Sequence, residues 1–414
     1  MNKIFMSING LDYTYAKLIS DLGEMNECRY YVYYKDNDPY KIFKHIIHSL
    51  IYDYEIEVID GDLSRLELID RGIDYDCLSQ VVEIVEGKRR KVHTLPEITE
   101  IESSCVNWRI TLYTSGTTGI PKRISHHINT FVKNTKCTDR HSDDIWAFAY
   151  NPTHIAGLQV FFQAFFNKNS IIYAFANCKE MLGDLLEKYN ITHISATPTY
   201  YRNTLSYLSK CYPLVKRVTF GGEKYDASLE KLVGLTFPNS KILNIYASTE
   251  TGSLFVGQGE FFERNEMIQR YTRVSEEGEL SIHRSLLEGS TILQSDDDWY
   301  STGDIVELSG SRIRFITRKS ELFNVGGYMV NPTEIEYILR NVDGVLDLVI
   351  RGEENRYTNN IVVADIIKTH DVDEFFIKCA VKQYAKEHLQ SWKVPRIINI
   401  VQQLSETRSG KKMR

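Results

Sequence analysis

The sequence predicts an α/β protein with a large N-terminal domain of parallel strands flanked by helices, followed by a small α+β C-terminal domain. Between about residues 145 and 245, short β-branched segments alternate with segments of helical spacing, which is typical of a parallel sheet with helical crossovers. Beyond residue 332 a second mixture of helical and strand-like segments predicts a compact α+β unit. With 414 residues, 43% hydrophobic and 25% charged, the chain can form two domains with large cores.

The spacing of apolar residues predicts the individual elements in order. In the N-terminal part the predicted helices are 40–52, 126–136, 182–189, 200–208 and 228–235, and the predicted strands are 56–59, 146–150, 192–196, 215–220 and 241–245. Strands are also predicted at 277–284 and 313–316. In the C-terminal part, beyond residue 332, the predicted strands are 346–350, 361–365 and 395–401, and the predicted helices are 334–339 and 372–388.

Composition and charge argue against several classes of function. A net charge of −6 argues against nucleic acid as the main partner. No apolar run is long enough to span a bilayer, and no signal-peptide core follows the first residues, so we expect a cytoplasmic protein without a membrane span. The seven cysteines are scattered and form no C-x-x-C pair, which predicts reduced thiols with neither a zinc site nor a disulfide framework.

One stretch, L-Y-T-S-G-T-T-G-I-P-K at residues 112–122, combines glycines, hydroxyl residues and a lysine after a short strand-like segment. Glycines let the backbone approach an anion, successive amide groups form a concave anion site, and lysine adds a positive charge. A nucleoside-triphosphatase loop of the form G-x-x-x-x-G-K-[ST] does not fit, because Pro121 stands five residues after Gly116 and Arg123 follows the lysine. The candidate phosphate-binding residues are Thr114, Ser115, Gly116, Thr117, Thr118, Gly119 and Lys122.

This stretch resembles the phosphate loop of the adenylate-forming enzymes, which include acyl- and aryl-CoA synthetases, luciferases and the adenylation domains of peptide synthetases. Further motifs similar to those of the family follow in the same order: P-T-H-I-A-G at residues 152–157, Y-A-S-T-E at 246–250, W-Y-S-T-G-D at 299–304 and T-R-S-G-K-K-M-R at 407–414. The resemblance implies that ATP activates a carboxylic acid to an acyl-adenylate with release of pyrophosphate, and that a thiol then accepts the acyl group.

The resemblance implies a nucleotide-binding role for several residues. Tyr246 would stack on adenine, because a tyrosine ring offers an aromatic face. Asp304 would accept hydrogen bonds from both ribose hydroxyls, and Arg318 would contact ribose or phosphate. Gly222 and Glu223 follow a predicted parallel strand, at the carboxyl edge where ligands collect, so we include them in the cofactor site.

The resemblance also implies a set of residues at the reacting atoms. Thr249 would donate a hydrogen bond to a phosphoryl oxygen, and Glu250 would hold Mg²⁺. His154 would lie beside the acyl site. Lys411 is the expected adenylation lysine, with Lys412 as the alternative. Residues 146–158 contain no aspartate to pair with a substrate ammonium group, which predicts an acid without an α-amino group.

Domain organisation and acceptor follow from the same resemblance. We expect an adenylation domain over residues 1–317, with a reduced first subdomain, and a mobile C-terminal lid over residues 318–414 that turns about Ser320. The acceptor is coenzyme A or, as an alternative, the phosphopantetheine arm of an acyl carrier protein. A hypothesis from another functional class is a degenerate protein that binds nucleotide without catalysis. It is disfavoured because the chain retains the residues expected for catalysis and nucleotide binding, Glu250, Asp304, Arg318 and Lys411.

Overall fold

The computed structural model describes residues 3–25, 29–79, 81–83, 94–100, 105–114, 122–133, 135–175, 181–287, 298–369, 371–408 and 411–413. The chain divides into two compact units. Unit 1 comprises Met1–Glu260 and His283–Asp298, and unit 2 comprises Phe261–Ile282 and Trp299–Arg414.

Unit 1 holds the predicted alternation of strands and helices. Its strands are β1 (Ile4–Ile8), β2 (Leu11–Thr14), β3 (Arg29–Tyr31), β4 (Tyr33–Asp36), β5 (Ile56–Asp60), β6 (Val81–Glu83), β7 (Arg109–Thr114), β8 (Lys122–His127), β9 (Ile145–Phe148), β10 (Ser170–Tyr173), β11 (His193–Ala196), β12 (Arg217–Gly221), β13 (Lys241–Ser248) and β14 (Gly252–Gly257). Its helices are α1 (Tyr15–Glu24), α2 (Pro39–Tyr52), α3 (Arg65–Asp70), α4 (Leu95–Thr99), α5 (Asn129–Val132), α6 (Ile155–Phe166), α7 (Leu182–Tyr189), α8 (Pro198–Leu205) and α9 (Ala227–Thr236).

The largest sheet of unit 1 confirms the predicted parallel architecture. Its strand order is β14-β13-β12-β11-β9-β10-β1-β2. Neighbouring strands from β13 to β1 run parallel, and β14 and β2 add antiparallel strands at the two edges. From β9 the chain goes first to β10 on one side and then to β11 on the other. Such a reversal of strand order creates a crevice at the carboxyl ends of the strands, where ligands bind in α/β sheets.

Helix α6 packs in the core of unit 1 rather than on its surface. Its sequence, I-A-G-L-Q-V-F-F-Q-A-F-F, is apolar on nearly every side, which is typical of a fully surrounded helix. Phe161 of α6 stacks on Phe43 of α2 with ring centroids 4.1 Å apart, and both rings are fully buried. The segment before α6, which carries His154, is therefore anchored to a rigid element.

A second sheet of unit 1, with strand order β4-β5-β7-β8, corrects one prediction. The helix predicted over residues 126–136 is wrong at its start, because β8 continues through His127 and pairs with β7 over six residue pairs. Helix α5 then covers only Asn129–Val132. The cross-strand hydrogen bonds of β8 outweigh the local helical spacing of these residues.

Unit 2 confirms the predicted α+β character of the C-terminal part. Its strands are β15 (Phe262–Glu263), β16 (Thr272–Val274), β17 (Glu279–His283), β18 (Trp299–Ser309), β19 (Arg312–Arg318), β20 (Phe323–Val325), β21 (Tyr328–Val330), β22 (Val345–Asn355), β23 (Asn359–Lys368) and β24 (Ile397–Ile400), and its helices are α10 (Glu266–Arg270), α11 (Pro332–Leu339) and α12 (Glu374–His388).

Two mainly antiparallel sheets make up unit 2. The first has the order β15-β19-β18-β17-β16, and the second has β21-β20-β23-β22 with β24 added beside β23. Residues from α11, α12 and the second sheet share one apolar core. The predicted boundary after residue 317 falls inside unit 2, close to the end of β19, and the predicted lid movement stays a prediction. Among the described helices of both units, none has the length and apolar character needed to cross a bilayer.

Candidate active site

The structure places three of the predicted site segments at one edge of the largest sheet, namely 152–157, 222–223 and 246–250. They follow β9 and β12 and include the end of β13, at the carboxyl ends of parallel strands. Residues far apart in sequence are brought to this edge because parallel strands share a direction. The edge carries the crevice next to β9, and it is the candidate site of unit 1.

The predicted phosphate loop joins β7 to β8. Thr114 and Lys122 are paired in register at its base, whereas Ser115, Gly116, Thr117, Thr118 and Gly119, together with the side chains of Thr114 and Lys122, lie outside the described residues. Buried Glu57 of β5 accepts hydrogen bonds from the Tyr113 hydroxyl and the Arg123 guanidinium. This carboxylate fixes both strands that carry the loop and gives Arg123 a structural role.

His154 occupies the N-cap position of α6, but its side chain makes no capping hydrogen bond there. The preceding turn is held by Asn151, whose Oδ1 accepts hydrogen bonds from the backbone N–H and the hydroxyl of Thr153, both at 2.9 Å. Gly157 is required by close packing, since a Cβ at this position would overlap the backbone carbonyl oxygen of Asn151. The structure thus explains the segment P-T-H-I-A-G at residues 152–157 as a tight strand-to-helix turn that presents a partly accessible His154.

Gly222 and Glu223 also lie at the carboxyl edge, directly after β12. Gly222 has φ of +80°, a backbone conformation that favours glycine. The Glu223 carboxylate accepts hydrogen bonds from the backbone N–H and the hydroxyl of Thr199, at 2.8 and 2.9 Å. Because Thr199 lies in the first turn of α8, Glu223 ties the loop after β12 to the loop after β11. This linking role was not apparent from the sequence.

Tyr246 lies within a strand, because β13 runs three residues beyond its predicted end and pairs with β14. The ladder is irregular between Tyr246 and Ala247, and the Tyr246 ring lies 5.7 Å from that of Phe255. Thr249 and Glu250 occupy the turn between the two strands, and both are partly accessible. Sequence comparison located this motif, whereas its hairpin geometry depends on β14.

His126 is a residue of this region that the sequence analysis missed. It is fully buried in β8, and neither ring nitrogen has a hydrogen-bond partner among the residues that the structure describes. Burial lowers the pKa of His126 to about 4, and the Glu250 carboxylate opposes this effect only in part. An uncharged imidazole therefore lies within electrostatic range of Glu250 at neutral pH. His126 was missed because a helix was predicted over these residues. No local sequence signal distinguishes the buried His126 from the adjacent His127.

Within unit 2, the structure brings two predicted nucleotide-binding residues together. Asp304 in β18 and Arg318 in β19 are directly opposite in the strand register, and Arg318 Nε donates a 2.8 Å hydrogen bond to the Asp304 carboxylate. Only 5% of Asp304 is exposed. Thr302 fixes the local chain, because its Oγ1 accepts from the Asp304 N–H and donates to the Leu280 carbonyl. Asp304 therefore lies within β18, directly after Gly303 with φ of +74° and just before a register shift in the pairing with β19.

The two candidate lysines near the C-terminal end have different surroundings in unit 2. Lys412 Nζ forms an ion pair with Asp347 and donates a hydrogen bond to the Leu348 carbonyl at 3.0 Å. Both charged side chains are 6% exposed. Lys411 is held through its backbone, whose N–H donates to Thr407 Oγ1 and whose carbonyl accepts from the Thr407 N–H. Lys412 is therefore committed to a buried structural ion pair.

Comparison with known families and structures identifies the two parts of the chain. Residues 76–277 match the profile of the AMP-binding enzyme family, and residues 334–411 match the profile of the AMP-binding enzyme C-terminal domain. The 2-succinylbenzoate–CoA ligase of Bacillus pumilus is 26% identical over 407 residues, which cover 87% of this chain and 82% of the relative. The 2-succinylbenzoate–CoA ligase of Listeria innocua is 26% identical over 379 residues, or 86% of this chain and 76% of the relative.

Solved structures of low sequence identity share the fold. The o-succinylbenzoate CoA synthetase of Bacillus subtilis, in complex with its acyl-adenylate intermediate, has a TM-score of 0.71 at 18% identity and covers 99% of this chain and 94% of its own. ATP-bound MatB from Rhodopseudomonas palustris has a TM-score of 0.72 at 17% identity with the same coverage. Together with the order of the motifs, these matches establish that the chain belongs to the AMP-binding enzyme family and is an AMP-forming ligase.

Proposed function

We propose that this enzyme joins a carboxylic acid to coenzyme A in two half-reactions. In the first, a carboxylate oxygen attacks the α-phosphorus of ATP, and pyrophosphate leaves as the acyl-adenylate forms. In the second, the coenzyme A thiol attacks the acyl carbon, and AMP leaves as the thioester forms. The observation that carries the proposal is the convergence of three predicted site segments at the carboxyl edge of one parallel sheet, beside the reversal of strand order.

Each unit carries candidate nucleotide-binding residues. In unit 1, Tyr246 would stack on adenine, Thr249 would donate to a phosphoryl oxygen, and Gly222 and Glu223 would shape the adjoining loop. Residues 114–122 would surround the phosphates. In unit 2, the Asp304 carboxylate would accept hydrogen bonds from the ribose hydroxyls. Arg318 would hold this carboxylate in place, a role that the 2.8 Å hydrogen bond from Arg318 Nε to Asp304 supports.

Mg²⁺ fits the chemistry of the unit 1 turn, because Glu250 is a partly accessible carboxylate and this ion prefers oxygen ligands. Bound Mg²⁺ would neutralise charge on the triphosphate. The Glu250 side chain would hold it, and the adjacent Thr249 hydroxyl would orient the phosphoryl oxygens.

Lys411 would stabilise the negative charge that develops around the α-phosphate during adenylation. The structure supports Lys411 over Lys412, because Lys412 is committed to Asp347. His154, at the N-terminal end of α6, would border the acyl group. We further propose that the second half-reaction follows a rotation near Ser320 that withdraws Lys411.

The names of the relatives suggest a substrate class for this chain. Their names specify 2-succinylbenzoate–CoA ligases, which favours an aryl carboxylic acid without an α-amino group and favours coenzyme A as the acceptor. None of these names supports the alternative of a carrier protein as partner.

Carboxylate-dependent ATP–pyrophosphate exchange tests the proposal directly. We expect exchange with aryl acids such as 2-succinylbenzoate and none with α-amino acids. We expect Lys411→Ala to abolish exchange but to retain thioester formation from preformed acyl-adenylate, whereas Lys386→Ala, at an exposed position of α12, retains both. Equal loss of both half-reactions in Lys411→Ala would contradict the proposed division of roles. A thioester formed with a carrier protein but not with coenzyme A would replace the proposed acceptor.

A further inference from the structure

Three metal-ligating side chains meet at the amino edge of the largest sheet, opposite the candidate active site. Asp144 immediately precedes β9, and His193 is the first residue of β11, the strand beside it. His141 ends a short 3₁₀ turn, Asp139–His141, that leads into β9. The four residues of β9 separate this group from the carboxyl edge by about 13 Å, at 3.3 Å per residue. The group is therefore distinct from the site of acid activation.

The ligand atoms have the spacing of a small metal site. His141 Nδ1 lies 2.8 Å and His193 Nε2 lies 3.4 Å from the same Asp144 oxygen. All three atoms lie within 4.8 Å of one another. Adjacent ligands of a tetrahedral ion with bonds of about 2.0 Å are about 3.3 Å apart. Small adjustments of these side chains would place three ligands around one ion, with a fourth position left for water.

Surrounding hydrogen bonds orient the His193 imidazole and hold the turn that carries His141. Thr192 Oγ1 lies 2.8 Å from His193 Nδ1, and it also accepts a 2.9 Å hydrogen bond from the Ile145 N–H. This contact directs His193 Nε2 towards Asp144. The amide of fully buried Asn169 donates a 2.6 Å hydrogen bond to the His141 carbonyl, which fixes the 3₁₀ turn. Partners of this kind, beyond the ligands themselves, are typical of histidine metal sites.

We propose that His141, Asp144 and His193 form a binding site for a first-row transition metal ion, with Zn²⁺ as the expected occupant. Two imidazole nitrogens and one carboxylate oxygen suit Zn²⁺ better than Mg²⁺ or Ca²⁺, which prefer oxygen alone. The cysteine pattern predicted no zinc site. That prediction did not consider His141, Asp144 and His193, because these residues contain no cysteine and are separated by up to 52 residues in the sequence.

The charge of Asp144 is essential to this site. Lys216 and Arg217 lie close enough to His193 to act on it electrostatically, and they disfavour an additional cation. Asp144 is buried and offsets part of this positive charge. Removing its charge without changing its shape, as in Asp144→Asn, is therefore expected to abolish metal binding.

Metal binding can be measured on the full chain by equilibrium dialysis against Zn²⁺ and by the visible spectrum with Co²⁺. We expect one tightly bound Zn²⁺ per chain that is lost in Asp144→Asn and in His141→Gln, the latter at a partly exposed position. Thr192→Val should weaken binding about 10- to 100-fold, while His127→Gln, the matched histidine control, should leave it unchanged. Circular dichroism would show which variants retain the fold.

Each outcome decides the proposal. A Co²⁺ spectrum without a thiolate charge-transfer band, lost in His141→Gln but present in Glu250→Gln, supports the site and separates it from the proposed Mg²⁺ position. Equal Zn²⁺ binding by the parent protein and by a folded His141→Gln overturns the proposal. Absence of any Zn²⁺ binding by the parent protein also overturns it, and leaves the three side chains as a hydrogen-bonded network that anchors the start of β9.

Discussion

Replacing Lys412 should destabilise unit 2, whereas replacing its neighbour Lys411 should not. In Lys412→Met, the buried Asp347 carboxylate loses its closest cation and keeps the Leu348 N–H at 2.8 Å and the Arg340 guanidinium at 3.7 Å. Breaking a buried ion pair by removing one partner costs about 3–5 kcal/mol. Because Arg340 compensates in part, we expect a loss of about 2–3 kcal/mol in the free energy of unfolding.

Amide hydrogen exchange of β22 and β23 measures this loss within unit 2, since their central amides open only with the unit's core. The double variant Lys412→Met/Asp347→Asn removes both charges and keeps the side-chain oxygen that the Leu348 N–H requires. It should recover most of the lost protection. Lys411→Met should leave protection unchanged and abolish ATP–pyrophosphate exchange. If Lys412→Met instead preserves protection and abolishes exchange, the assignment of the two lysines is wrong.

Three further predictions concern burial, packing and nucleotide binding. Since the pKa of His126 is lowered to about 4, the unfolded chain binds an extra proton between pH 6.5 and 4, and stability is lost as pH falls through this window. His126→Leu should remove about 2 kcal/mol of the loss between pH 7.5 and 4.5, measured by urea unfolding. Gly157→Ala should destabilise by about 1–3 kcal/mol because its Cβ has no room, whereas Gly234→Ala, with space in α9, should be neutral or stabilising in the same thermal unfolding assay. Arg318→Met should raise the KM for ATP by about tenfold or more through loss of a charged hydrogen bond, while the exposed Lys319→Met should leave it unchanged.

Local patterns predicted the elements whose contacts are local. Helix α7 has the same bounds as its prediction, 182–189, because its amphipathic spacing is regular and its burial one-sided. By contrast, β13 was predicted to end at residue 245 but extends to residue 248, since β14 folds back and pairs with it. The wrong start of the helix predicted over residues 126–136 has the same kind of cause, because β8 pairs with β7. Pairing between strands is therefore the information that local spacing lacks.

The candidate residues of unit 2 show the same difference between what local sequence predicts and what strand pairing adds. The motif at residues 299–304 was identified from its residues, but the pairing of Asp304 with Arg318 follows from the register of β18 and β19. The resemblance already favoured Lys411 over Lys412, and the structure adds a separate reason for that prediction, because Lys412 is paired with buried Asp347.

The two edges of the largest sheet show why one site was visible in the sequence and the other was not. The segments at the carboxyl edge that carry His154 and Glu250 each contain several polar residues, so each forms a recognisable motif by itself. At the amino edge, His141, Asp144 and His193 become neighbours only because β9 and β11 are adjacent and parallel. A strand order of β9 beside β10 alone would leave His193 distant from Asp144. The proposed metal site therefore depends on the same reversal of strand order that creates the active-site crevice, and disrupting the pairing of β9 with β11 should impair both.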